Sequence, residues 1–202
     1  MRNLQTRSQP RGELLIAYLA AAAVGTHLLE SALPGLGPWF KPGLANTFTL
    51  VAFFHLGWKA ATGVTLIRVL VGSMTLGTFL SPTFFLSLSG AIGAVLSLGV
   101  VAGLGIGHAC GHGWHDESRG QAPLRQDDRR RLGPVGVSLL ASLAHMICQV
   151  LAAWLLIIGH SGIFLALPWF LLGSWLTGIV NGLLAFLILE RLAQSSLLGE
   201  NG

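Results

Sequence analysis

The chain has 202 residues, 52% of them hydrophobic and only 10% charged, and its mean hydropathy is +0.69. Soluble domains carry roughly 25% charge and disordered chains need low hydrophobicity, so both classes are excluded. The net charge of +4 is set in so apolar a background that it argues against nucleic-acid binding, and what remains is an all-α, polytopic membrane protein whose basic residues are read by position.

Crossing a hydrocarbon core of ~30 Å takes about 20 largely apolar residues per helix. In chain order, residues 1–12 form a basic tail with Arg2, Arg7 and Arg11, and 13–33 is the first apolar run. That run continues past Ala20-Ala21-Ala22, which favours a retained helix over a cleaved signal peptide. On it Ala17 and Ala21 form a small-xxx-small pair, and His27 and Glu30 share one face. The connector 34–43 is dense in Pro and Gly and carries Trp39, Phe40 and Lys41, the composition of a rigid cap or of an aromatic belt anchor. Residues 44–57 predict a short or tilted span opening on Asn46, Thr47 and Thr49, and Gly57-Trp58-Lys59 predicts a turn.

Spans 60–80 and 84–107 follow. The first holds Arg68 and, near its end, Ser73, Thr75 and Thr78, with Ser81 and Thr83 just beyond it. In the second, Gly99, Gly103 and Gly107 repeat at the spacing of a helix packing face. Residues 108–133 form the only long polar segment, a predicted cytoplasmic loop. The last spans, 134–159 and 168–190, each carry one polar stripe, His145 with Gln149 and Ser174 with Thr177 and Asn181, before a tail at 191–202. The continuously apolar character of these runs argues against a β-barrel, whose strands alternate. The expected architecture is a six-helix membrane domain over 13–190. Arg2, Arg7, Arg11, Lys59, Arg119, Arg125, Arg129, Arg130, Arg131 and Arg191 fall on one side of it and only Lys41 on the other. The positive-inside rule therefore places both termini in the cytoplasm.

Ionisable side chains inside a bilayer are candidate sites by default, and Glu30 and Arg68 qualify. The competing readings are that Arg68 snorkels to the cytoplasmic face and that Glu30 sits in the headgroup layer. The polar stripes of the last two spans fit either interhelical hydrogen bonds or a lined pocket. His108, His112 and His115, beside Cys110 and Asp116, are ligand types for a transition metal. No second Cys/His group completes a recognised site, so neither a metal nor any other cofactor is assigned. The sequence contains no GxxxxGK[ST], GxSxG, HExxH or CxxC, and Asp127-Asp128 has no further carboxylate beside it to hold Mg²⁺ against a diphosphate. An enzyme acting alone is therefore disfavoured.

The runs Glu30-Ser31-x-Leu33-Pro34, Lys41-Pro42-Gly43-Leu44-Ala45-Asn46, Arg68-Val69-Leu70-x-Gly72-Ser73, Gly77-Thr78-x-x-Ser81-Pro82-Thr83-Phe84 and Ser87-Leu88-Ser89-Gly90 resemble the bacterial family called Gx transporter, also labelled heptaprenyl diphosphate synthase component I. That family is similar to the substrate-binding S components of energy-coupling factor (ECF) transporters, a step of analogy. The resemblance implies an ECF S-component-like six-transmembrane-helix bundle in the bacterial inner membrane, with a capping first outer loop. It implies a substrate pocket of Glu30, Lys41, Asn46, Arg68, Ser73, Ser81 and Thr83, and a face at Ala17 and Ala21 that docks on a coupling subunit driven by separate ATPases. Two functions follow as expectations. One is capture of a small anionic or polar organic molecule, isoprenoid, quinone-related or vitamin-like, for import without covalent chemistry. The other is a membrane accessory component of heptaprenyl or polyprenyl diphosphate synthesis. Metal transport or sensing through His108, His112 and His115 is a third and weaker expectation.

Overall fold

The apolar runs fold as helices: among the described residues, 9–32, 43–106 and 132–199 of a computed structural model, no strand occurs. The order is α1 (Gln9–Ala32), α2 (Ala45–Leu56), α3 (Trp58–Thr75), α4 (Pro82–Gly103), α5 (Pro134–Ala153) and α6 (Leu167–Gly199). A π-helical turn, Trp154–Ile158, extends α5, and a 3₁₀ turn, Ser161–Leu165, leads into α6. Local chemistry sets the boundaries. Pro82 and Pro134 occupy first-turn positions of α4 and α5, where the missing N–H is not needed. Gly57, at φ +92°, lets α2 turn straight into α3, and Gly159, at φ +63°, ends the π turn.

Among the described residues, four helices are long and apolar enough to cross a membrane: Gly12–Ala32, Pro82–Gly103, Pro134–Ile158 and Leu167–Gln194. The other two differ for physical reasons. α3 has 18 residues but carries Lys59 and Arg68, which lower its hydropathy. α2 has 12 residues, about 18 Å at 1.5 Å per residue, and is an internal helix packed against α1, α3 and α6. Thr47, Thr49, Leu50, Val51, Ala52, Phe53 and Phe54 are all buried on it. A helix enclosed by protein does not have to match the hydrocarbon thickness. The core forms around it, with Val51 and Phe53 of α2 in one cluster with Ala20 and Ala23 of α1, Val64 of α3, Leu98 of α4, Val137 of α5 and Ala185 of α6. Large apolar side chains face outward instead, among them Leu29, Met74, Leu96, Leu155, Leu165, Trp169 and Leu187. That is the distribution a lipid solvent permits and water does not.

Small residues set the closest helix contacts. On α6, a Cβ at Gly182 would lie 2.6 Å from the Val135 Cα, and one at Gly178 would lie 2.3 Å from the Ser142 Oγ. On α4, Gly90 lies against His145 and Gly93 against Ala144 and Cys148. Of the expected packing run Gly99, Gly103, Gly107, Gly99 is held close against the Trp58 indole of α3, Gly103 faces open space, which corrects the expectation there, and Gly107 is outside the described residues. The contact with α5 uses the earlier glycines, Gly90 and Gly93. Gly182→Val is therefore expected to destabilise the protein by about 1–3 kcal/mol through overpacking. Gly103→Ala should stay within about 0.5 kcal/mol. Thermal melts in detergent check the contrast.

Candidate functional site

Where α1 ends and α2 begins, a polar group is enclosed by apolar helices. Glu30 lies in the last turn of α1 and is 7% exposed, and Arg68 on α3 is also 7% exposed. Glu30 Oε1 accepts the Leu44 N–H, one of the backbone donors that a helix start leaves without an intrahelical partner. The carboxylate thus caps α2 from a neighbouring helix, and its charge favours the positive end of the helix dipole. Arg68 Nη1 donates to Asn46 Oδ1 at 2.5 Å in the first turn of α2, and the Glu30 and Arg68 charges attract each other. Burial of both ions is tolerable because each is hydrogen-bonded and their charges attract.

Asn181 of α6 fastens the same region from the other side and is only 2% exposed. Its Nδ2 donates to the Gly43 carbonyl at 3.1 Å, and its Oδ1 accepts from Thr47 Oγ1 at 3.2 Å. One turn further along, Thr49 and Thr65 join α2 to α3 at 3.0 Å. From α5, the Nδ1 of His145 is buried with no hydrogen-bond partner, while the ring is bonded to the Gly90 backbone and feels the Arg68 charge.

The positions of these residues along the long helices locate the group within the bundle. Asn181 is fourteen residues into α6 and His145 thirteen residues before Ile158, so the α5–α6 hairpin runs roughly 20 Å beyond the polar group. Both positions are near the middle of the spans Leu167–Gln194 and Pro134–Ile158. The group is thus level with the middle of α5 and α6 and with the last turn of α1, where Glu30 lies. Arg68 reaches Asn46 instead of running along its helix toward the Lys59 end.

Three of the residues singled out in the sequence, Glu30, Asn46 and Arg68, come together. Ser73 is buried on α3 but donates to Leu70 O of its own helix at 2.9 Å. Ser81 is engaged at the start of α4, donating to Thr78 O at 2.5 Å and accepting from the Phe84 N–H at 3.4 Å. Thr83 is exposed on the first turn of α4. Lys41 lies outside the described residues, as do His108, His112 and His115, and among the described residues no group of three metal-ligand side chains occurs. Ala17 and Ala21 are exposed on α1, on the side away from the core residues Ala20 and Ala23. Thr47, His145 and Asn181 also belong to the enclosed group. Their signal in the sequence was a polar residue inside an otherwise apolar run.

Five helices thus contribute to one polar group, and the segments that supply it are the ones a family comparison recognises. A family model described as heptaprenyl diphosphate synthase component I matches residues 19–109 and 120–188. The chain belongs to this family. Neither a curated protein nor a solved structure matched the chain. The heptaprenyl diphosphate synthase component I match reaches well past the 30–90 motifs and takes in α5 and most of α6, so His145 and Asn181 lie inside it together with Glu30, Asn46 and Arg68. His112 and His115 fall between its two matched stretches.

Proposed function

We propose that this protein is a substrate-binding subunit of an ECF-like importer, holding a small anionic or polar organic molecule at the Glu30, Asn46 and Arg68 group. The observation that carries the reading is the buried Arg68, which bonds Asn46 of α2 and is attracted by the Glu30 charge of α1. Intramembrane cations that face protein mark ligand or ion pathways. In this reading all six helices belong to a bundle in the bacterial inner membrane, with both termini cytoplasmic. The family resemblance adds Ser73, Ser81 and Thr83 to the ligand's surroundings on the outer side. The exposed Ala17 and Ala21 serve as the close-approach face for a coupling subunit, whose ATPases supply the energy.

The test is native mass spectrometry of protein purified from its own membrane in mild detergent. Wild type is expected to carry a small molecule. The paired variant Glu30→Gln/Arg68→Gln, which leaves no lone buried ion, should lose it by tenfold or more. Equal occupancy in the two proteins would reject the site. The family's description favours a second reading, a membrane component of heptaprenyl or polyprenyl diphosphate synthesis. Only that reading expects chain elongation by a partner synthase to change in rate or product length when this protein is added.

A further inference from the structure

The unpaired His145 nitrogen narrows the chemistry of the ligand, given that the group at Arg68 is a binding site. The ring is partly buried on α5 and fits beneath α4 only because residue 90 is glycine: a Cβ there would lie 2.6 Å from Nε2 and from Cε1. Nδ1 has no partner, so the bond to the Gly90 backbone comes from Nε2–H, donated to the carbonyl. Nδ1 is then a lone-pair acceptor with no donor facing it. Arg68, whose Nη1 goes to Asn46, makes no bond to it. A buried acceptor left empty costs about 1–3 kcal/mol, and native proteins seldom tolerate one away from a functional site.

The charges around it have a sign. Arg68 contributes one positive charge and Glu30 one negative, and the start of α2, where Asn46 and Leu44 sit, adds about half a positive charge from the helix dipole. The surplus is positive, and the open position is an acceptor. A fully deprotonated anion would satisfy the first and repel the second.

We infer that this site takes an oxyanion that carries a proton, inorganic phosphate or a phosphate monoester in its singly protonated form, with Arg68 and the first turn of α2 receiving its charge and Nδ1 of His145 accepting its O–H. Inorganic phosphate always carries at least one proton near neutral pH, and sulfate, of similar size, carries none. The pair therefore separates recognition of charge from recognition of the proton.

The experiment measures binding of inorganic phosphate and of sulfate to the full chain in detergent, by calorimetry and thermal shift. Wild type is expected to bind phosphate at least tenfold more tightly than sulfate. His145→Asn, which offers Oδ1 as an acceptor close to the Nδ1 position, should keep most of that preference. His145→Leu should lose it while leaving sulfate affinity unchanged. Equal affinity for the two anions in wild type, or a preference that survives His145→Leu, overturns the inference and leaves Nδ1 to a resident water. If neither anion binds but a co-purified molecule is lost from Glu30→Gln/Arg68→Gln, the protonated-oxyanion inference fails and the binding-site reading stands. If no molecule co-purifies and neither anion binds, both fail.

Discussion

Glu30→Ala is expected to lower the stability of the folded protein by about 3–5 kcal/mol, the range for breaking a buried ion pair by removing one partner. The loss has two parts. Arg68, 7% exposed, would keep its charge in the interior of the bundle with Asn46 as its remaining partner, and an uncompensated buried ion costs more than the pair gains by existing. The Leu44 N–H would also lose the acceptor that caps α2, which adds the penalty of an unsatisfied buried donor, about 1–3 kcal/mol. The two overlap because one carboxylate serves both, so they do not simply add. The decisive comparison is with Glu30→Ala/Arg68→Leu. Removing both charges abolishes the uncompensated ion, so the double variant should recover most of the stability that Glu30→Ala loses. Denaturation melts of the three proteins in one detergent check the order. If Glu30 and Arg68 were instead screened by solvent, Glu30→Ala would cost less than about 1 kcal/mol, and the double variant would be no more stable than the single.

The same pair shows how far the sequence could be read. Hydropathy runs locate the helices well, because each apolar stretch has only one way to satisfy its backbone in lipid. Glu30 and Arg68 stand out for a related reason, since a charge among aliphatic residues needs a partner. The partnership itself is not legible. Along the chain the two residues are 38 positions apart, and reading each against its own helix puts them at unequal depths. What brings them level is the shortness of α2 and its place inside the bundle, which depends on contacts with three other helices and leaves no local mark. The packing glycines are legible only in part. Gly99, Gly103 and Gly107 have the spacing of a packing face, but spacing does not say which neighbour crosses where: Trp58 of α3 meets Gly99, Gly103 faces open space, and α5 crosses at Gly90 and Gly93. Ser81 and Thr83 are ambiguous in a third way, because a hydroxyl at the start of a helix is as well suited to capping as to ligand binding, and Ser81 caps α4.

Asn181→Leu should be the second most damaging substitution, at about 2–4 kcal/mol, although the side chain is of similar size and leaves little cavity. Interhelical hydrogen bonds in membrane proteins average only ~0.6 kcal/mol, because the separated helices find other partners in the bilayer. Asn181 departs from that average on two counts. It satisfies two groups at once, the Gly43 carbonyl and the Thr47 hydroxyl. Thr47 is buried among the helices, where water cannot replace the lost bond, and the partly buried Gly43 carbonyl loses a side-chain partner at the same time. Ser174→Ala on the same helix face is the control. Its hydroxyl donates to the Ser142 carbonyl at 2.6 Å, a group already inside α5, where the helix supplies another donor, and the close packing at Gly178 and Gly182 holds the two helices together without it. Its loss should therefore stay near the ~0.6 kcal/mol average. A second readout separates position from stability. Asn181 fixes where α2 begins, and Asn46 in that first turn orients Arg68. Asn181→Leu should accordingly weaken phosphate binding at temperatures where the protein is still folded, whereas Ser174→Ala should leave it unchanged.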